Sequence, residues 1–340
     1  MDAFSTPATL DSLIARARAA GPVRVAVADA AQSVVLATMK RAAEGGLAIP
    51  HLIGPRADIA PLAKEAGIAL DAPCLHDTGP DAEAAREAVR LVREGVADVV
   101  MKGNLHTDTF MRVLLDAETG LRVPGQRVSH IFLLEVPGHD RLIGVTDAAI
   151  NIAPDLSAKA QICQNAVDAF HAIGVAEPRV AVLSTVETVT PAITSTLDAA
   201  SLTLMARRGQ ITGAVVDGPL AFDNAVSPRA AAEKGILSEV AGRADILLVP
   251  DLVSGNVLAK ALEYLGGAIA AGVALGLAAP VVLTSRADTE AARIASLALA
   301  ALLRPVAMPR AKGEELHRSL RPAPVHEADC CPLPHRSARP

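Results

Sequence analysis

The chain has 340 residues, of which 51% are apolar but only 2% aromatic, and its formal net charge is -5 at pH 7. This length exceeds what one hydrophobic core usually organises, so two domains are expected, with cores built from Ala, Val, Leu and Ile. The negative charge gives no basic field for nucleic acid, and no uninterrupted apolar run of about 18 residues indicates a membrane span. Nucleic acid and membranes are therefore not expected partners.

The amino terminus and the cysteines indicate a cytoplasmic protein. The first residues lack a basic segment followed by an apolar one, which is the pattern of a secretory signal. The cysteines have neither metal-ligand spacing nor the spacing of a disulfide framework; they are Cys74, Cys163, Cys330 and Cys331. We expect no metal site, and we expect Cys163 to be a small buried apolar residue.

The first third of the chain alternates short apolar runs with helical patterns, which is typical of a parallel α/β sheet. The predicted elements are strand Val23–Ala28, helix Ala31–Glu44, strand Leu47–Ile53, helix Pro61–Ala66, helix Asp81–Glu94 and strand Ala97–Met101. The last of these strands opens into a polar loop from Lys102 to Asp108. A further helix is predicted to begin near Thr107.

The rhythm changes at Arg127, where the second domain is predicted to begin. The apolar runs Val128–Val136 and Leu142–Asp147 are separated by a Pro-Gly turn and predict an antiparallel hairpin. The later predictions are helix Leu156–Ile173, strand Arg179–Leu183, helix Ile193–Arg207, strand Ala244–Val249, a helical stretch Ala259–Leu277, strand Pro280–Thr284 and helix Asp288–Leu303. After about residue 307 apolar periodicity ends, which predicts a disordered tail to residue 340.

Two runs in the second half, Val215–Asp223 and Val249–Val257, indicate a ligand site. Each is an apolar strand expected to stop in a polar loop, and the carboxyl ends of strands in open α/β sheets bind ligands. Gly218 and Gly255 would allow the backbone to approach a ligand closely. The alternative is that the polar residues of these loops are ordinary turn and N-cap residues. Two dense clusters together favour the site.

Several motifs, in this order along the chain, resemble those of the phosphate acetyl/butyryltransferase family. They are Gly103 with His106-Thr107; Asp147-Ala148-Ala149-Ile150-Asn151; Pro178-Arg179-Val180-Ala181; Asp217-Gly218-Pro219-Leu220 with Phe222-Asp223-Asn224-Ala225 and Lys234; Val240-Ala241-Gly242-Arg243-Ala244-Asp245; Pro250-Asp251-Leu252 with Gly255-Asn256; and Ser285-Arg286. The resemblance covers roughly residues 20 to 303. Each motif alone is weak, but their common order makes chance a poor explanation.

The resemblance implies an enzyme that converts acyl-CoA and phosphate into acyl phosphate and CoA. It implies an α/β fold with two three-layer domains of the isocitrate/isopropylmalate dehydrogenase-like type, the active site lying in the cleft between them. Domain I would comprise residues 1–126 and 278–306, and domain II residues 127–277, with dimerisation through domain II. The expected assembly is a homodimer with acyl-CoA, phosphate and acyl phosphate as partners and no separate cofactor.

Three residues near the end of the chain are the predicted catalytic group. By resemblance, Ser285 hydrogen-bonds the reacting acyl group and Arg286 steadies phosphate or developing charge, a task suited to a planar guanidinium. A helix N-cap and a solvated arginine are the structural alternative. The base-like Asp of the acetyltransferases falls here on Ala292, whereas Asp288 is one helical turn away on the same face. Asp288 could act as the base or only cap the helix, and the acyl chain length, acetyl or butyryl, stays open.

The predicted substrate-binding residues come from the motifs and from the strand-end loops. They are Lys102, Gly103, His106, Thr107, Asp217, Pro219, Asp223, Lys234, Asp251, Gly255 and Asn256. Lys102 would sit over a phosphate as a point charge, unless it is a solvated strand-end lysine. His106 would donate a hydrogen bond, unless it caps a helix, and Lys234 is supported by the resemblance alone.

Two other functions have specific sequence requirements. A metal-dependent and pyridine-nucleotide-dependent hydroxy-acid dehydrogenase would need clustered acidic metal ligands, and the sequence has no compact Asp triad. A non-catalytic acyl-CoA-sensing domain would be expected to lose the Ser-Arg pair, which is intact at Ser285 and Arg286. The phosphate acyltransferase is therefore the favoured interpretation.

Overall fold

The structure, a computed structural model, describes residues 7–70, 74–283 and 288–304. The strands are β1 Val23–Ala28, β2 Ala48–Gly54, β3 Leu75–Asp77, β4 Val99–Lys102, β5 Ser129–Glu135, β6 Ile143–Thr146, β7 Arg179–Leu183, β8 Val215–Leu220, β9 Ile246–Leu248, β10 Ile269–Leu275 and β11 Val281–Val282. The helices are α1 Leu10–Ala19, α2 Ser33–Glu44, α3 Arg56–Ala66, α4 Ala82–Arg93, α5 Thr107–Leu114, α6 Leu156–Ala172, α7 Thr194–Arg207, α8 Phe222–Val226, α9 Pro228–Glu233, α10 Leu252–Tyr264 and α11 Glu290–Leu303.

The described strands form one sheet in the order β3-β2-β1-β4-β11-β10-β5-β6-β9-β7-β8. One group of neighbouring strands is parallel and consists of β3, β2, β1, β4 and β11. A second parallel group consists of β6, β9, β7 and β8. Between the groups, β10 is antiparallel to both β11 and β5, and β5 is antiparallel to β6. The two parallel groups therefore run in opposite directions.

Helices cover both faces of this sheet, which makes three layers. On one face, α1, α2, α3, α6, α7 and α11 share one continuous apolar cluster with the sheet. The other face carries two separate clusters, one beneath α4 and α5 and one beneath α8, α9 and α10. The α/β fold class is confirmed. The division into two domains at residues 126 and 278 stays a prediction, and the predicted disordered tail lies outside the described residues.

The helical prediction for Ala259–Leu277 was wrong in its second half. The helix α10 ends at Tyr264, and β10 begins at Ile269 in the middle of the sheet. All but the first residue of β10 are buried. A central strand covered on both faces has a continuous apolar sequence without alternation, and its Ala and Gly content made it resemble a helix.

The expected loop at Asp217 is part of a strand. The strand β8 continues through Asp217, Gly218 and Pro219 to Leu220. Because β8 is the last strand in the sheet order, no other described strand lies on one side of it, and a proline is tolerated at such an edge. The predicted hairpin of β5 and β6 is confirmed. Among the described residues, no helix is both long enough and apolar enough to cross a membrane.

Candidate functional site

Lys102 and Gly103 lie where β4 ends beside β1. Lys102 is buried, and its Nζ donates to the carbonyl oxygen of Gly103 at 3.4 Å. A Cβ at Gly103 would lie 2.1 Å from the carbonyl oxygen of Asp29, so only glycine fits this contact. The backbone N–H groups of Gly103 and Asn104 donate to the carbonyl oxygens of Ala28 and Asp29 at 2.8 and 2.6 Å. The loop after β4 is therefore anchored directly on the end of β1.

Asp29, which sequence reasoning missed, forms the other half of this contact. It is buried and has a φ of 54°, in the left-handed region that non-glycine residues rarely adopt. Its Oδ2 accepts the backbone N–H of Asp81 at the start of α4 at 3.3 Å. Burial raises the pKa of the Asp29 carboxyl, although the N–H groups of Asp81 and Ala31 oppose this. The strand ending at Ala28 was predicted, but no sequence pattern marks the positive φ of Asp29.

The helix α5 starts just beyond this loop. His106 is its N-cap residue but makes no side-chain capping bond, and Thr107 is the first helical residue. Both side chains are exposed, whereas Leu105 and Phe110 are buried in the apolar cluster beneath α4 and α5. The structure thus brings His106 and Thr107 to the same strand end as Lys102, with their side chains towards solvent.

The predicted catalytic segment follows β11, the strand next to β4. Val282 of β11 is paired with Met101 of β4, so the chain enters the segment beside the Lys102 loop. Ser285 and Arg286 lie outside the described residues, and their roles stay predictions. Description resumes at Asp288, and the N-cap of α11 is Thr289, whose side chain accepts the N–H of Ala292 at 3.2 Å. Asp288 is therefore not the residue that caps α11.

Two cations near Asp288 were missed by sequence reasoning. Arg293 is only 1% exposed, and its Nε donates to the carbonyl oxygen of Asp288 at 3.3 Å. Burial lowers the pKa of the Arg293 guanidinium, and the charge of Asp288 opposes this. Burial likewise opposes the charge of Lys260 on α10, but Glu263, Tyr264 and Asp288 together hold the pKa of Lys260 above its ordinary value. Buried arginines are rare, and this one could have been suspected from its place in the apolar run of α11.

A second group of predicted residues lies at the start of α10. Asp251 is the N-cap of α10, where its Oδ1 accepts the N–H of Ser254 at 2.9 Å. A Cβ at Gly255 would lie 2.7 Å from Cγ2 of Val249 and 3.0 Å from the carbonyl oxygen of Asp147, so the helix approaches the sheet through this glycine. Asn256 donates to the carbonyl oxygen of Ala148 at 3.3 Å. The N-cap alternative accounts for the side-chain contact of Asp251.

Asp223 and Lys234 meet in a third place. Lys234 Nζ lies 3.4 Å from Asp223 Oδ2 and 3.6 Å from Glu187 Oε2. Asn224, fully buried, donates to the same Glu187 carboxylate at 3.3 Å. Glu187 follows β7 and was missed by sequence reasoning. Two carboxylates balance the charge of Lys234, so an anion would have to compete with them.

Asp217 and Pro219 are distant from the Lys102 loop in the sheet. The strand β8 is seven strand steps from β4 in the sheet order, or about 34 Å along the sheet at about 4.8 Å per step. Asp217 instead helps to line an open cavity of about 600 Å³ beside α7, together with Arg207 and Glu239. Lys102 and Asp217 therefore cannot hold the same phosphate group, and the binding roles of Asp217 and Pro219 stay predictions.

Two observations bear on metal-ligating side chains and on the thiol of Cys163 in the described part of the chain. No group of three or more His, Cys, Asp or Glu side chains is arranged there to hold a metal ion. Cys163 is fully buried in α6, as predicted, and burial raises the pKa of its thiol to about 12. A thiol in that state is not a nucleophile at neutral pH.

Comparison with known proteins gives a consistent result. The model of the family described as "Phosphate acetyl/butaryl transferase" matches residues 78–301. A phosphate acetyltransferase of Rhizobium meliloti is 52% identical over 87% of this chain and 93% of its own length. A phosphate butyryltransferase of Clostridium beijerinckii is 43% identical over 86% of this chain and 97% of its own length. The crystal structure of a branched-chain phosphotransacylase from Enterococcus faecalis matches 83% of this chain and 100% of its own, with a TM-score of 0.72 and 30% identity.

Proposed function

Because the chain belongs to the phosphate acetyl/butyryltransferase family, we propose that it transfers a short acyl group between coenzyme A and inorganic phosphate. The observation that carries this proposal is the similarity to acetyl- and butyryltransferases over nearly their whole length. No acidic metal cluster of a metal-dependent dehydrogenase is present among the described residues.

The reaction requires a nucleophile, a proton acceptor and a site for phosphate. In the direction of acyl-CoA synthesis, the CoA thiolate attacks the carbonyl carbon of acyl phosphate. A carbon–sulfur bond forms, the carbon–oxygen bond to phosphate breaks, and phosphate leaves with the electron pair. The thiol has an ordinary pKa of about 8.5, so a base must accept its proton at neutral pH.

We assign these tasks to residues around the ends of β4 and β11. Lys102 is a buried lysine at the strand end, and its ammonium group would hold phosphate strongly in a site of low dielectric constant. Ser285 would hydrogen-bond the acyl group and Arg286 would stabilise phosphate or the developing charge. Asp288 would take the thiol proton. The charge of Asp288 acts on the pKa values of both Arg293 and Lys260, so two cationic side chains lie near the proposed base.

We further propose that the enzyme is a cytoplasmic homodimer that needs no separate cofactor. The exposed face of α10 supports the dimer: Val253, Val257 and Tyr264 are 69%, 63% and 63% exposed and lie on one side of the helix. Ile152, 74% exposed, lies beside the start of α10, because its carbonyl oxygen accepts the N–H of Leu252. Large exposed apolar patches mark interfaces. We call these four residues, Ile152, Val253, Val257 and Tyr264, the α10 patch.

The first test is turnover. The purified protein should convert acyl phosphate and CoA to acyl-CoA with at least one substrate in a panel from acetyl to hexanoyl phosphate, and activity should survive a metal chelator. Ser285→Ala and Arg286→Ala should lower kcat by about 100-fold or more with little change in CoA affinity, because both act on the transition state. Absence of turnover with every acyl group would reject the proposed function. Unchanged kcat in both variants would remove these two residues from the mechanism.

A further inference from the structure

The carboxylate of Asp147, at the end of β6, makes four hydrogen bonds. Its Oδ1 accepts the backbone N–H groups of Ala149 and Ile150 at 2.9 and 3.0 Å. Its Oδ2 accepts the backbone N–H of His130 at 3.2 Å and Nδ2 of Asn151 at 2.6 Å. Asp147 is only 3% exposed, so these four N–H donors, and not bulk water, satisfy the oxygens of its carboxylate. The sequence motif from Asp147 to Asn151 is thus folded around its own first residue.

Asn151 extends this network to the start of β5. Its Nδ2 also donates to the carbonyl oxygen of Val128 at 2.9 Å, and its Oδ1 accepts Nη1 of Arg127 at 3.0 Å. The loop of residues 147–152 is therefore fixed to β5 through Asn151 and through the backbone of His130. These bonds hold the loop at both ends, and a movement of the loop would break them while the carboxylate is still buried, which is costly.

One side of the loop carries the start of α10. The carbonyl oxygen of Asp147 lies 3.0 Å from the Cβ position of Gly255, and that of Ala148 accepts Nδ2 of Asn256 at 3.3 Å. The carbonyl oxygen of Ile152 accepts the N–H of Leu252 at 3.1 Å. The position of the motif Asp251 to Asn256 is therefore set by the loop.

The other side of the loop reaches the cluster beneath α4 and α5. Ile150 is partly buried against this cluster, and so is Leu283. The cluster also contains Leu105 and Phe110, which flank His106 and Thr107. The loop of residues 147–152 thus contacts the start of α10 on one side. On the other side, Ile150 packs against the cluster that contains Val100 of β4 and that Leu283 also contacts.

From these contacts we propose that Asp147 is a positioning residue for acyl transfer: its carboxylate holds residues 147–152 so that the start of α10 keeps a fixed place relative to the Lys102 loop and the β11 end. This inference rests on the proposed function. Asp147 itself does not contact substrate in this proposal. A shift of about 1 Å in a catalytic group can lower a rate by about 100-fold, so the loss of such a support is measurable as activity.

The test compares two variants with a matched control. Asp147→Asn keeps the size of the side chain but replaces one acceptor oxygen by an amide that faces N–H donors. Asn151→Ala leaves the Asp147 carboxylate its three backbone donors. This variant tests the proposal if Asp147→Asn does not fold. The control is Asp155→Asn at the N-cap of α6, where the side chain accepts one bond from Ala158 N–H and Asn is an equally good cap. Steady-state kinetics and hydrogen exchange of residues 252–258 are measured well below the unfolding temperature of each protein.

We expect Asp147→Asn to lower kcat by about 10-fold to 100-fold with a smaller change in KM, and Asn151→Ala to lower it by about 10-fold. In both, amides of residues 252–258 should exchange faster than in the control, which should match the wild type. Wild-type kcat and wild-type exchange in a folded variant would overturn the proposal. A fall in kcat that is fully explained by the fraction of unfolded protein would also overturn the proposal. The exchange measurement needs no substrate, so it still decides whether Asp147 holds the start of α10 in place if the wild type shows no acyl transfer.

Discussion

The imidazole of His130 is fully buried, and among the described residues its Nδ1 has no hydrogen-bond partner. Burial lowers the pKa of His130 to about 4, although the nearby Asp147 carboxylate opposes the shift. The unfolded chain would bind a proton at an ordinary pKa of about 6.5. Between these two values the unfolded state holds a proton that the folded state does not, so stability falls as the pH is lowered from 6.5 to 4.

His130→Gln should reduce this loss of stability in acid. The neutral amide cannot take up a proton in the unfolded chain, so the variant should lose about 3 kcal/mol less than the wild type between pH 7 and pH 4. Urea unfolding at the two pH values measures the difference. His106→Gln controls for the loss of a histidine at an exposed site. An equal acid loss in the wild type and in His130→Gln would contradict the prediction.

At the scale of single residues, the sequence located the strand ends better than the contacts made there. The loop from Lys102 was predicted, because a strand, a polar run and a helix follow one another. The contact of Gly103 with Asp29 was not, because it joins residues 74 positions apart and depends on the left-handed backbone of Asp29. Arg293 and Lys260 were missed for a similar reason: their relation to Asp288 arises only when α10 and α11 are both in place.

At the scale of elements, the helix α10 approaches the sheet closely at Gly255. In a helix interior, replacing Gly by Ala normally stabilises by about 1 kcal/mol. At Gly255 the added Cβ would lie 2.7 Å from Val249 and 3.0 Å from the carbonyl oxygen of Asp147. Helix propensity therefore predicts that Gly255→Ala stabilises the protein, whereas packing predicts that it destabilises the protein.

Gly255→Ala should destabilise the protein by about 1 to 3 kcal/mol, because overpacking at the sheet outweighs helix propensity. The free energy of unfolding, measured by urea titration of wild type and variant, gives the sign directly. A more stable variant would show that α10 can move away from the sheet at no cost. In that case the close approach to Asp147 would not be required for the fold.

Elements with clear periodicity were predictable, and so were several buried strands, but the central strand β10 was not. The hairpin of β5 and β6 followed from its Pro-Gly turn, and α6 and α7 from their helical spacing. The strand β10 was taken for a helix because both of its faces are covered, which removes the alternation that marks a strand. The strand β8 was cut short because Gly and Pro usually end strands, whereas at a sheet edge they need not.

At the scale of the whole molecule, the α10 patch is the surface through which we expect two copies of the chain to form the proposed dimer. Val257→Asp places a charge in the middle of the patch and should convert the proposed dimer to a monomer, because burying an unpaired carboxylate is costly. Sedimentation velocity over a range of protein concentrations measures the change. Leu237→Asp is the control, because Leu237 is fully exposed outside α10. A wild type that is monomeric, or a dimer unaffected by Val257→Asp, would contradict this use of the patch.

The two residues of β11 carry a consequence for synthesis of the protein. This short strand lies between β4 and β10, and the sheet is continuous across its middle only when Val281 and Val282 are in place. While a ribosome is still adding residues before 281, β4 of the nascent polypeptide has an open side that this strand will later fill. Completion of the sheet must therefore wait until Val282 has been synthesised, and termination between β10 and β11 leaves a product in which β4 and β10 each have an unfilled hydrogen-bonding edge at the centre of the sheet.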